Sequence, residues 1–188
     1  MQEVARTHPA HGIVGDVARK EDIHSIALQI SAALGGLDVL INNASSLGPV
    51  PLALLADTDC EDFALALETN VLGPFRLTKA LLGAPAASAR EGRGAVVLNV
   101  SSDAAINAYA QWGAYGASKA ALRHLSAIWN EELAEEGVRF LSLDPGDMDT
   151  PLHALAVPDA DPATLKPPEA AARELADAIE TALAKEHA

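Results

Sequence analysis

Ala95-Val96-Val97-Leu98-Asn99-Val100-Ser101-Ser102 is the stretch that decides the fold. Five of its first six residues are apolar and three of those are β-branched, with no polar position until Asn99. A strand with one wet face alternates apolar and polar residues; an unbroken run is what a strand covered on both faces looks like, and such strands belong to parallel sheets. Leu37-Asp38-Val39-Leu40-Ile41-Asn42-Asn43-Ala44 repeats the pattern, again ending in polar side chains, and Val138-Arg139-Phe140-Leu141-Ser142-Leu143 gives a third run, stopped at Asp144-Pro145-Gly146.

Between and around these runs the period changes to that of a helix. Ile23, Ile26, Ala27, Ile30 and Leu34 form one stripe over residues 20–34, closed by Gly35-Gly36. A long helix is predicted over 59–82, opened by Asp57, Thr58 or Asp59 and kinked or broken at Pro74. Residues 84–94 read as a small-residue, charged connector, and 114–136 as a strong helix striped by Leu122, Leu125, Ile128, Trp129 and Leu133. Residues 147–167 read as a loop with one helical turn near Leu152–Ala156, and a last helix runs from Pro168 to about Ala184. Upstream, residues 1–10 read as a loose start and Ile13–Val17 as a short strand ending in an acid. Strand–helix alternation with buried strands predicts an α/β fold built on a parallel sheet, as a single domain over 1–188.

Composition narrows the function. Hydrophobic residues make up 49% of the 188 and charged residues 21%, which fits a globular chain. A net charge of −13 disfavours a nucleic-acid or anionic-membrane surface. One cysteine, Cys60, excludes an intramolecular disulfide and a multi-cysteine metal site, and fits a cytoplasmic protein. The six histidines show no pairing that suggests a metal, and His153 reads as a loop histidine with no chemical role.

In parallel sheets ligands sit at the carboxyl ends of the strands. Asp16, Asn42-Asn43, Ser101-Ser102 and Asp144 fall there. Tyr115 opens the helix that follows Ser102, and Lys119 stands four residues on, so both share one helix face. An ammonium beside a phenol favours its ionised form, which predicts a lowered Tyr115 pKa and a usable acid/base. Ser102 can hold a carbonyl or alcohol oxygen for Tyr115. Asn70, near the Pro74 disruption, carries an amide that could hold a water and pass a proton on.

Taken together, Asp16-Val17, Asn42-Asn43-Ala44, Asn70, Asn99-Val100-Ser101-Ser102, Tyr115-Gly-Ala-Ser-Lys119 and Asp144-Pro145-Gly146 with Met148 and Thr150 resemble the short-chain dehydrogenases/reductases in order and spacing. The resemblance implies a Rossmann-like fold and an NAD- or NADP-dependent oxidoreductase acting on an alcohol or carbonyl of a small molecule. Tyr115 would be the acid/base, Lys119 its activator and ribose ligand, Ser102 the substrate anchor and Asn70 the water anchor. Asp16 and Val17 would meet the adenine, Asn43 and Ala44 the adenosine side, and Pro145, Gly146, Met148 and Thr150 the nicotinamide. Helices near 59–82 and 114–136 would pair copies into a homodimer or homotetramer. Two departures stand out. Ser45 takes the place of the motif's glycine, and no strand with a glycine-rich turn precedes Asp16. The second departure makes this a chain expected to lack the family's first two strands and first helix. Alternative readings are a relic or interaction module that keeps the tetrad without turning over, and a lyase or epimerase relative.

Overall fold

A computed structural model describes residues 10–184. Three parallel strands form the sheet in the order β1 (Val39–Asn42), β2 (Ala95–Val100), β3 (Val138–Leu143), with Leu40 opposite Val97 and Val97 opposite Phe140. All six residues of β2 are buried, as an unbroken apolar run requires of the central strand. The helices are α1 (Lys20–Leu34), α2 (Cys60–Leu67), α3 (Gly73–Leu81), α4 (Gly83–Arg90), α5 (Gly113–Glu132), α6 (Pro151–Ala156) and α7 (Pro168–Ala184).

The pleat sends alternate residues to opposite layers. Leu40, Val97, Val138 and Phe140 pack on Ile23, Ile26 and Ala27 of α1 and on Leu77 and Leu81 of α3. Trp129 of α5 stacks on Phe75 at 5.3 Å and tilts against Phe140 at 5.1 Å, so core packing accounts for it. On the other face Val96 and Leu98 meet Ile179, Leu175 and Leu183 of α7. The two-layer covering predicted for the sheet is therefore present over β2.

Three expectations are corrected. Ile13–Val17 is not a strand. Ile13 and Val17 pack on the core without pairing to a strand, and Asp16 starts a turn into α1, its carboxylate accepting from the Ala18 N–H at 2.9 Å while its own N–H donates to Asp22. β1 is not covered on both faces: it is an edge strand among the described residues, and Ile41 is 50% exposed. The connector at 84–94 is largely helix, as its alanines favour. The break predicted in the 59–82 helix near Pro74 takes the form of a π turn, Glu68–Leu72, in which the Gly73 N–H donates to the Glu68 carbonyl. Pro74 has no N–H to give the Asn70 carbonyl, so an α-helical bond there cannot form and the turn widens. The predicted loose start, residues 1–10, lies outside the described residues except for Ala10.

Gly73 follows the π turn at a point where no side chain fits. A Cβ there would lie 2.9 Å from the Val17 carbonyl oxygen, so the Asp16–Val17 turn rests directly on the helix backbone.

Candidate active site

The carboxyl ends of β1, β2 and β3 open onto one cleft of about 120 Å³. β2 delivers Val100, Ser101 and Ser102; β3 delivers Asp144, Pro145 and Gly146; α5 delivers Tyr115 and Lys119; the segment after β1 delivers Asn43 and Ser45. Leu47, Trp112, Leu152 and Ala156 make an apolar wall around Tyr115, whose ring meets that of Trp112 edge-on at 5.7 Å. A second cavity of about 420 Å³, lined by Leu98, Leu175 and Ile179 among others, shares Asn43, Val100, Pro145, Met148 and Thr150 with the first.

Of the residues singled out in the sequence, Ser102, Tyr115, Lys119, Asn43, Pro145, Gly146, Met148 and Thr150 line the cleft together. Val17 and Ala44 lie beside it, on a small recess of about 70 Å³ with Asn42, Asn43 and Pro74. Asp16 lines neither; its polar groups serve the turn into α1. Asn70 is fully buried behind the cleft. Its Nδ2 donates to the Ser46 carbonyl at 2.7 Å and to Ser118 Oγ at 2.8 Å; its Oδ1 accepts from the Ser46 N–H at 2.8 Å and from Ser45 Oγ at 3.2 Å. Both amide hydrogens and both carbonyl lone pairs are thus occupied by protein, leaving the side chain no free group for a water. In this structure Asn70 is a tether between the chain after β1 and α5.

Ser118 is a residue the sequence reading passed over. Its Oγ donates to the Tyr115 carbonyl at 2.6 Å while accepting from Asn70, so the tether reaches the turn of helix that carries the phenol. A second buried polar chain runs beneath the site. Asn42 Nδ2 donates to Asn99 Oδ1 at 2.8 Å and to Thr78 Oγ1 at 3.2 Å, and Asn99 Nδ2 donates to Ser126 Oγ at 2.8 Å. It links α3, β1, β2 and α5 through side chains that face the same layer, because Asn42 and Asn99 are opposite each other in the register.

The electrostatics differ from expectation at Tyr115. Lys119 Nζ donates to the Val100 carbonyl at 2.8 Å and sits 5.5 Å from the tyrosine ring centroid, over the ring. Burial is the largest influence on the phenol and raises its pKa; Asp144 and Asp103 raise it further, and the Ser102 and Ser45 hydroxyls oppose them. The neutral phenol is therefore the resting form, a correction to the lowered pKa predicted from spacing alone. Burial also lowers the Lys119 pKa, to about 8, against a smaller opposing pull from Asp144. Ser102 caps the short turn Asp103–Ala105, accepting from the Ala104 N–H and donating to Asp103, both at 3.2 Å. Ser101 Oγ is buried and unpartnered on the same cleft. Thr150 caps α6 by accepting from the His153 N–H, and His153 Nδ1 is buried without a partner. Ser45 has no left-handed backbone, so a side chain where the motif carries glycine introduces no strain.

A three-layer α/β unit with polar groups gathered at the carboxyl edge of a parallel sheet defines the class of nucleotide-handling folds. Comparison with known proteins narrows this: the model of the short chain dehydrogenase family matches residues 1–161, and the chain belongs to that family. Among its relatives, the 7alpha-hydroxysteroid dehydrogenase of Escherichia coli K12 is 33% identical over 131 residues, covering 70% of this chain and 48% of that protein. An uncharacterized oxidoreductase of Thermotoga maritima is 36% identical over 134 residues, covering 71% and 50%. A putative short chain dehydrogenase from Pseudomonas syringae superposes with a TM-score of 0.80 at 30% identity, over 90% of this chain and 68% of that one. The NADPH-bound carbonyl reductase from chicken fatty liver superposes with a TM-score of 0.72 at 29% identity, over 81% and 64%. The chain spans about half the length of several curated relatives it matches. Among the described residues no helix is long and apolar enough to cross a membrane, and no group of His, Cys, Asp and Glu is arranged to hold a metal.

Proposed function

We propose that this chain carries the proton-transfer site of an NAD- or NADP-dependent oxidoreductase that interconverts an alcohol and a carbonyl on a small molecule, in the cytoplasm. The observation that carries the reading is the convergence of the Tyr115 phenol, the Ser102 hydroxyl and the Lys119 ammonium on one cleft with an apolar wall. The buried, unpartnered Ser101 hydroxyl and a Lys119 that spends one of its three N–H groups on Val100 are donors a polar cofactor would use, so the residues fit such a group. Asn43, Lys119, Pro145, Gly146, Met148 and Thr150 would hold it, with Val17 and Ala44 beside them. When bound, a nicotinamide supplies the hydride chemistry. The protein's own part is proton handling and orientation. Ser102 Oγ positions the substrate oxygen against the phenol. Tyr115, neutral at rest, gives its proton to a forming alkoxide and takes one back in the reverse direction. A raised phenol pKa makes carbonyl reduction the direction supported at neutral pH, with alcohol oxidation accelerating as the medium becomes alkaline.

The deciding assay follows nicotinamide absorbance with small ketones, aldehydes and alcohols, using NADH and NADPH in turn, for the parent and Tyr115→Phe. Loss of the acid/base should cost roughly 10²–10⁴ in kcat; equal rates for the two would refute the tyrosine mechanism. Absence of saturable binding of either cofactor would instead favour a family member that keeps these residues without turnover. α2 and α5 pack on each other and leave Leu65 and Ile128 exposed, and we propose pairing of copies through them, to be read by sedimentation equilibrium.

A further inference from the structure

A groove between α1 and α3 stands apart from the site described above. It holds a cavity of about 470 Å³ that shares no lining residue with the cleft, and neither α2 nor α5 contributes to it. Ile23, Phe75 and Ala80 are its apolar lining. Ile23 is buried and Phe75 half-buried. Trp129 stacks on one face of the Phe75 ring at 5.3 Å, so the ring meets the groove by its other face or its edge.

The rest of the lining is basic: Lys20 and His24 from α1, Arg76 and Lys79 from α3. Among the described residues no acid lines the groove, in a chain with 26 acids against 13 lysines and arginines and a net charge of −13. These cations are not spent on the fold. Lys20 and Lys79 are exposed, and neither makes a hydrogen bond or ion pair among the described residues. Arg76 sends Nη1 to Glu68 Oε2 at 2.7 Å and to the Ala18 carbonyl at 3.4 Å, which steadies the guanidinium and leaves its remaining N–H groups open among the described residues. Asp22, on the first turn of α1 with Lys20, accepts from the Asp16 N–H.

We propose that this groove binds a small organic anion, its apolar body packed on Ile23, Phe75 and Ala80 and its phosphate, sulfate or carboxylate held by Lys20, Lys79 and the open N–H groups of Arg76. Small-molecule sites are built this way, from apolar walls with a few polar groups that fix orientation. A recess lined by charge of one sign beside apolar walls concentrates ligands of the other sign, and the planar fork of arginine suits an oxyanion. The charge also sets the size of the ligand. A nucleic acid or an anionic membrane would run beyond the groove onto an acidic surface that repels it, whereas a small anion meets only the local cations. The inference is independent of the role of Tyr115.

The probe is phenyl phosphate, titrated at low salt and followed by amide chemical shifts. Saturable shifts are expected over Lys20–His24 and Phe75–Ala80. Inorganic phosphate lacks the body and phenol lacks the charge, so each should bind about tenfold more weakly or worse. Both lysines are exposed, so Lys20→Gln and Lys79→Gln leave the fold intact. Each should weaken phenyl phosphate about two- to fivefold, and the pair of changes together about tenfold, with added salt acting in the same direction. Three results would overturn the inference: no saturable shift on α1 and α3 at millimolar probe, shifts centred on Lys119 and Gly146 instead, or an affinity that the double variant leaves unchanged. Inorganic phosphate binding as tightly as phenyl phosphate would also overturn it, since the apolar lining would then take no part.

Discussion

Lys119→Met tests how the site is held against the fold's own preferences. Lys119 is 3% exposed, and burial lowers its pKa from 10.5 to about 8. Below about pH 8 the ammonium is charged in both folded and unfolded chains, and the cost of burying it is fully present. Between about 8 and 10.5 the folded chain sheds that proton while the unfolded chain keeps it, so the unfolded state binds more protons and stability rises with pH. The fall in pKa corresponds to roughly 3 kcal/mol of destabilisation at neutral pH. Methionine fills nearly the same volume without a charge, but strands the Val100 carbonyl, which accepts from Nζ at 2.8 Å; that loss costs about 1–2 kcal/mol. The variant should therefore be more stable than the parent by about 1–2 kcal/mol at pH 7, read by urea unfolding. The larger signature is the slope: the parent gains stability through the window above pH 8, and Lys119→Met does not. Both tyrosines have raised pKa values, so their contribution is lost only as pH rises through and beyond the ordinary phenol range, and the difference between parent and variant removes it. Parallel stability–pH curves for the two proteins would refute the account of a buried, charge-penalised lysine.

Asn99→Ala should destabilise the fold by about 2–3 kcal/mol, because it leaves a cavity and removes the acceptor of one Asn42 N–H and the donor to Ser126 Oγ inside the core; chemical denaturation measures it, and a loss below about 0.5 kcal/mol would mean the chain of amides carries no weight. Gly73→Val should cost about 1–3 kcal/mol, since a Cβ already meets the Val17 carbonyl at 2.9 Å; a thermal melt matching the parent would show that the Asp16–Val17 turn moves freely. Asn70→Ala should lower the unfolding free energy by about 2–4 kcal/mol and speed amide exchange over residues 43–48, whereas exchange unchanged there would argue against the tether.

Sheet and helices were legible because the apolar runs of β2 and β3 and the stripe of α1 each carry their own period. Errors arose where neighbours decide. Ile13–Val17 has β-branched residues but no exposed strand edge takes it up, and Asp16 finds a better use in a turn. The small residues of 84–94 carry no apolar stripe and so read as a connector; Ala86 packed in the core shows the helix. At the site, Ser102, Tyr115 and Lys119 were legible because residue type, spacing and strand-end position agree. The sign of the Tyr115 shift was not, since i,i+4 spacing puts two side chains on one face without saying that Nζ ends over the ring and on a carbonyl. Ser118 was invisible for a simpler reason: a serine in a helix carries no signal until its partners, Asn70 and the Tyr115 carbonyl, are placed around it.

The π turn at Glu68–Leu72 makes the molecule sensitive to counting. A regular helix advances about 100° per residue, so one residue added or removed in that turn changes the facing of everything downstream by nearly a third of a revolution. α2 packs on α5 while α3 packs on α1, two neighbours that an uninterrupted helix would not serve in the same way. Deleting a single residue between Glu68 and Leu72 would swing Leu77 and Thr78 off the sheet and withdraw Asn70 from Ser46 and Ser118 at once. At these five positions the chain's length is itself a coordinate of the candidate site.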